Sequence, residues 1–95
     1  MVRVIAVFQL KSECVDEAVR LAGELVTQTR KEKGCIQYDL IQSDVHPSKV
    51  VVLENWETQA DLDVHSASEH FTRLVPAIAE LCTQPPDVES FSVLY

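Results

Sequence analysis

Glycine is nearly missing from this 95-residue sequence: Gly23 and Gly34 are the only two, and there are only four prolines. With so few residues that break regular structure, the elements should be long and the loops short. Cysteine is sparse too. Cys14, Cys35 and Cys82 make an odd number and form no C-x-x-C or His-rich spacing, so neither a disulfide framework nor a zinc-binding pattern is supported. Positive charge is scarce, with eight Lys and Arg against fifteen Asp and Glu, a net charge of −7. A nucleic-acid partner needs clustered cations to displace counterions from phosphates, and an anionic membrane surface needs them as well. The one cluster, Arg30, Lys31 and Lys33, falls where a helix should end, where cations suit the helix dipole. Nucleic acid and membrane are therefore both excluded as expected partners. The apolar stretch from Val2 to Phe8 is far short of the ~20 residues that span a bilayer. No small-residue cleavage site follows a basic start, and a reduced, cytoplasmic setting is expected. Gly-rich phosphate loops and G-x-S-x-G elbows are absent, which removes nucleotide-dependent and serine-hydrolase chemistry.

What is present is a 46% hydrophobic chain of the length of one domain, residues 1–95. A lone chain of this size buries only roughly 60–65% of the surface it exposes when unfolded, so a partner subunit is plausible on size alone. Residues 2–10 alternate Val2, Val4, Ala6, Phe8 and Leu10 against Arg3, Ile5, Val7 and Gln9, the period of a strand. Ser12 is placed to cap a helix with Val15, Ala18, Val19, Ala22, Leu25, Val26 and Thr29 at three- and four-residue steps, ending before Gly34. Residues 35–42 read as a strand with Ile36, Tyr38 and Leu40 on one face. A turn around His46-Pro47 leads to a third strand over 49–56. Thr58 with Asp61 resembles a capping box and opens a short helix. Ser66-x-x-Glu69 predicts a break and a restart, the second piece running to about Cys82 with Pro76 as a kink or tight first turn. Val88 to Tyr95 supplies a fourth strand.

The order β-α-β-β-α-β is the α+β, ferredoxin-like split βαβ, with an antiparallel four-stranded sheet. Two helices cover only one face of such a sheet. Strands one and three are apolar on both faces, since Val51 and Leu53 match Val50 and Val52. The uncovered face calls for a second copy of the sheet, and a homodimer is expected.

The chemistry concentrates in Leu53-Glu54-Asn55-Trp56-Glu57 and in Leu62 to Phe71. By strand parity Val52, Glu54 and Trp56 point the same way. If that way is toward the helices, a carboxylate and an indole share a mostly apolar space, and His65 at the end of the short helix can look into it. A buried Glu54 would have a raised pKa and could move protons. The residues alone equally allow Trp56 as core filling that bonds through its N–H, and Glu54 as the partner of a helix N-terminus or an Arg. His65 and His70 are five residues apart, ~140° around one continuous helix, so they should not share a face. No third ligand stands at metal spacing, no metal site is expected, and His70 reads as a surface or packing residue. Cys14 in the first helical turn has no base partner and reads as a plain thiol.

Gly34-Cys35-x-x-Tyr38, then Glu54-x-Trp56, then Leu62-x-x-His65-x-x-Ser68-x-His70-Phe71 resembles the antibiotic-biosynthesis-monooxygenase family over nearly the whole chain. The resemblance implies dimers whose sheets pack as an α/β barrel, with a pocket in each subunit between sheet and helices. It implies, among the known branches, cofactor-independent oxidation of quinols or polycyclic phenols, haem degradation, or isomerisation of a phosphorylated signal. Trp56 matches a pocket-lining Trp of the phenol-oxidising members, whereas Val52 and Leu62 replace their polar or aromatic side chains. Haem is not expected, because Phe8 and Gln9 stand where the haem branch has Asn, His65 where it has Trp, and Pro76 close to the axial position. The quinol-oxidising reading remains, with His65 and Glu54 as catalytic candidates and Trp56, Phe71, Val52 and Tyr38 as substrate-binding candidates. Its expected partners are O₂ and a small aromatic or quinol-like substrate, with no cofactor. Isomerisation would need phosphate partners, for which only Arg3 and Arg73 offer themselves. A non-catalytic dimeric binding module is the third expectation.

Overall fold

A computed structural model describes all residues, Met1–Tyr95. Strands β1 (Val2–Gln9), β2 (Cys35–Gln42), β3 (Lys49–Trp56) and β4 (Asp87–Ser92) form one sheet in the order β2-β3-β1-β4. Every neighbouring pair is antiparallel. Helices α1 (Val15–Thr29), α2 (Gln59–Ser66) and α3 (Glu69–Ala79) complete the ferredoxin-like α+β arrangement. The buried face of β1, made of Val4, Ala6 and Phe8 and continued by Leu10 just past its end, packs with Val50, Val52 and Trp56 of β3. Ala18, Ala22, Leu25 and Val26 of α1 and Leu74 and Ile78 of α3 close over them. On the opposite face Ile5, Ile41 and Phe91 remain exposed, and Val7, Val51 and Leu53 are only half-buried.

Several local expectations are corrected. Ser12 does not cap α1; it opens a short 3₁₀ turn, Ser12–Cys14, and its hydroxyl bonds to the Glu13 carboxylate at 3.3 Å. The box at Ser66 is displaced, because Ser68 is the residue whose hydroxyl accepts the Phe71 N–H and caps α3. The Ser66 hydroxyl instead bonds back to the Leu62 carbonyl. Helix α3 ends at Ala79 rather than near Cys82; Pro76 lies inside it as expected, in its second half and not in a first turn. Ile36 does not share the face of Tyr38. A register shift between Cys35 and Gln37 turns Ile36 out to solvent and Cys35 in toward the core, as a bulge does by inserting one unpaired residue. The fourth strand stops at Ser92. The Thr58 cap is where the sequence places it, with its oxygen accepting from the Asp61 N–H at 3.1 Å.

Gly34 is the one residue with a left-handed backbone, φ 82°. A Cβ there would meet the Asp61 side chain at 2.1 Å. The tight turn from α1 into β2 therefore depends on glycine for both its dihedral and its clearance. The Gly34 carbonyl accepts the Glu57 N–H at 2.9 Å, which ties this turn to the exit of β3.

Candidate functional site

Antiparallel register lays Tyr38, Glu54, Val4 and Ser90 in one row across the four strands. The next row toward the centre is Leu40, Val52, Ala6 and Val88. Because side chains alternate, Val52, Glu54 and Trp56 all turn toward the helices, and all three are buried. The Trp56 indole N–H donates to Glu54 Oε1 at 2.9 Å. Burial raises the Glu54 pKa, and the indole bond opposes this only in part. Burial thus shifts Glu54 toward the neutral acid relative to an exposed carboxylate.

Helix α2 delivers His65 to the same region, and the Ser68 hydroxyl pins the break that follows. That one oxygen donates to the His65 carbonyl at 2.7 Å and accepts the Phe71 N–H at 3.3 Å. The His65 ring is 1% exposed. Its neighbours are Trp56 at 4.7 Å between centroids, Phe71 edge-on at 5.1 Å and Tyr38 edge-on at 5.5 Å. The His65 Nδ1 lies 2.6 Å from Glu32 Oε2, and His70 Nε2 lies 3.0 Å from the same oxygen. The other His65 nitrogen, Nε2, is buried without a protein partner. Burial lowers the His65 pKa more than Glu32 raises it, so the neutral ring is favoured. Burial beside Glu54 holds the Tyr38 phenol far above its ordinary range, so it remains protonated.

A cavity of about 240 Å³ lies between this part of the sheet and the helices. Its wall includes Glu54, His65, Phe71, Leu62, Val88 and Ser90. Among the sequence candidates, Glu54, His65 and Phe71 line it; Trp56, Val52 and Tyr38 do not. Trp56 and Tyr38 instead surround the imidazole, and Val52 is core. The reason is depth: a 0% exposed indole already covered by a histidine has no surface left for a ligand. A second, larger cleft of about 330 Å³ lies among Arg3, Ile5, Leu53, Phe91 and Tyr95 and also reaches Glu54.

Of the two readings of His70, surface or packing, the structure shows packing: it is half-buried and converges with His65 because the helix breaks between them. Glu32 escaped the sequence reading, although one signal was there. A carboxylate among Arg30, Lys31 and Lys33 at the end of α1 runs against the helix dipole, which calls for an explanation in tertiary structure. Glu32, His65 and His70 bring three possible metal-ligating atoms within 4.8 Å of one another. Their N···O spacings of 2.6 and 3.0 Å are those of charge-assisted hydrogen bonds. Ligands arranged tetrahedrally about zinc at ~2.0–2.1 Å stand roughly 3.3 Å apart. All three cysteines are free thiols, and burial raises the pKa of Cys35 and Cys82.

The raised Glu54 pKa gives a pH signature. Above the ordinary carboxyl value of 4.5, the unfolded chain releases this proton while the folded chain retains it. Stability contributed by the neutral acid is therefore lost as pH rises from there toward the folded-state pKa. Glu54→Gln keeps an oxygen for the Trp56 N–H and cannot ionise. Its melting temperature relative to the parent protein should climb between pH 4 and pH 7 in calorimetric scans; a pH-independent difference would show that Glu54 ionises freely.

Comparison with known proteins follows the same lines. The sequence pattern described as antibiotic biosynthesis monooxygenase matches residues 1–77. YcnE of Bacillus subtilis (strain 168), named as a candidate monooxygenase, is 34% identical over 83 residues, 87% of either chain. Rv0793 of Mycobacterium tuberculosis, named in the same terms, is 32% identical over 88% of this chain and 82% of its own. Its solved structure superposes with a TM-score of 0.93 over 99% of this chain and 95% of that one. A crystal structure described as an antibiotic biosynthesis monooxygenase is 40% identical, covers 100% of both chains and gives a TM-score of 0.95.

Proposed function

This chain belongs to the antibiotic biosynthesis monooxygenase family, and on that premise we propose that it oxygenates a small phenol or quinol with O₂ and no bound cofactor, His65 serving as the base. The observation that carries this reading is a buried, neutral imidazole on a cavity wall, with one nitrogen held by a carboxylate and the other unpartnered. A hydroxylated ring that displaces the side chains covering this nitrogen would supply the O–H it lacks. At about 240 Å³ the cavity is smaller than the ~300–1,000 Å³ of drug-sized sites, which suits one or two fused rings.

The electron count closes on the substrate. His65 Nε2 takes a phenolic proton, and the resulting anion is electron-rich enough to reduce O₂. A ring carbon bonds to one oxygen atom, neutral Glu54 protonates the other, and the O–O bond breaks with loss of water. Oxidation of the quinol to the quinone gives two electrons, and conversion of a ring C–H to C–OH gives two more. These are the four that O₂ requires. Leu62, Phe71 and Val88 supply the apolar part of the lining, beside exposed Gln59, Asp63 and Ser90, so protection of the peroxy species from water would need the partner subunit or the substrate itself to cover the mouth. Isomerisation of a phosphorylated metabolite is supported less, because Glu24 and Glu69 already occupy the Arg73 guanidinium, and Arg3 lines the other cleft and not the one beside His65. The proposal includes a second copy of the chain, whose sheet would cover Ile5, Val7, Val51, Leu53 and Phe91. Size, charge and the half-covered apolar face all favour that partner over nucleic acid.

The test is oxygen uptake by metal- and flavin-free protein against a quinol panel under ¹⁸O₂. One labelled atom in the product and one in water per O₂ is expected. Product without O₂ consumption would favour isomerisation, and tight binding without turnover would favour sequestration.

A further inference from the structure

The geometry points to Glu32 as the positioning residue of this site, holding His65 in the tautomer whose Nε2 carries a free lone pair, with His70 as the second donor that keeps the carboxylate in place. The inference rests on the reading of His65 as a base and adds how that base is prepared.

An ionised carboxylate oxygen only accepts hydrogen bonds. Glu32 Oε2 is bonded to His65 Nδ1 and His70 Nε2 together, so each of those nitrogens carries a hydrogen. A neutral His65 with its hydrogen on Nδ1 has none on Nε2. That leaves a lone pair on the ring edge away from Glu32, and Glu32 is not part of the cavity wall to which His65 belongs. That nitrogen is an acceptor and not a donor, and with almost no accessible surface in the ligand-free protein it meets substrate only when the wall around it yields. Protonation during the reaction makes the imidazolium face an anion at 2.6 Å, which stabilises the charge as it forms.

The backbone that presents Glu32 is fixed. Its N–H donates to the Thr29 carbonyl at 2.9 Å, and its carbonyl accepts the Cys35 N–H at 3.3 Å. The left-handed turn at Gly34 follows directly. From the other side, Trp56, Tyr38 and Phe71 leave the ring little room to rotate. A short, single-geometry bond results from chain segments far apart in sequence, and hydrogen bonds to an ionised partner are roughly twice as strong as neutral ones.

Histidine ¹⁵N NMR of the ligand-free protein tests this without any substrate. His65 Nδ1 should show the shift of a protonated nitrogen and Nε2 that of an unprotonated one. Glu32→Ala should lose this single pattern and give mixed tautomers, while Glu32→Gln, which keeps an acceptor and the side-chain shape, should recover part of it. On an accepted quinol, Glu32→Ala should lower kcat with little change in KM, by less than the ~10²–10⁴ attributable to the base itself. A parent protein with the hydrogen on Nε2, or a pattern indifferent to both Glu32 variants, overturns the proposal. So does stoichiometric Zn²⁺ uptake that shifts both histidines, which would make the cluster a metal site. Since the NMR pattern is read without substrate and the oxygen assay judges the quinol reading, failure of one is distinguishable from failure of the other.

Discussion

His65→Asn should lower quinol turnover by about 10²–10⁴, the usual worth of a positioned general base, with the protein still folded. Asparagine is the informative choice, because its amide nitrogen can stand where Nδ1 stands and keep the bond to Glu32, while nothing replaces Nε2. His65→Ala should cost turnover to the same extent. It also leaves Glu32 short of a donor and opens space beneath Trp56, so its stability should fall as well. The loss should fall on kcat, because proton removal belongs to the transition state and not to binding. Circular dichroism melts alongside the oxygen electrode separate the two causes. Unchanged turnover in a folded His65→Asn protein would remove the imidazole from the mechanism.

Trp56→Ala should be the most damaging change to stability, by about 3–5 kcal/mol. The indole is completely buried, stands against His65 and supplies the hydrogen bond to Glu54. Domains of this size have about 5–15 kcal/mol in total, and each kcal/mol moves the melting temperature by roughly 4–8 °C. A midpoint at least about 12 °C lower is expected, followed by circular dichroism because the only tryptophan is gone. Trp56→Phe should cost less, about 1–3 kcal/mol, for the unpaired polar group it leaves. A Trp56→Ala protein as stable as its parent would mean that the indole is not central to the packing beneath the cavity.

The position of Trp56 is legible from the alternation of β3 alone, and that of His65 from the short helix opened by Thr58. Lys49–Trp56 has one period, one length and one buried face, and its bounds agree with the structure residue for residue. Strand β2 was harder, because a bulge inserts a residue without altering composition, and Ile36 was assigned to the wrong side for that reason. Caps were ambiguous where several serines stood close together. The box read at Ser66 gives way to Ser68 two residues on, which only the path of the chain selects. Convergence of Glu32, His65 and His70 was beyond the sequence because it depends on a rotation between α2 and α3. The ~140° separation of the histidines holds for a continuous helix, and the break removes its premise. Trp56 and Tyr38 were assigned to the ligand wall because spacing reveals direction but not depth.

The cavity is built from parts of unequal rigidity. His65 and Glu54 stand on closed core, where almost any replacement disturbs packing or an internal bond. Val88 and Ser90 come from β4, an edge strand exposed along its whole length, and Leu62 from a helix of eight residues. Substitution is therefore cheap on the β4 and α2 side of the cavity and costly on the side of His65 and Glu54, so the outline of this hollow can change without disturbing the packing beneath it.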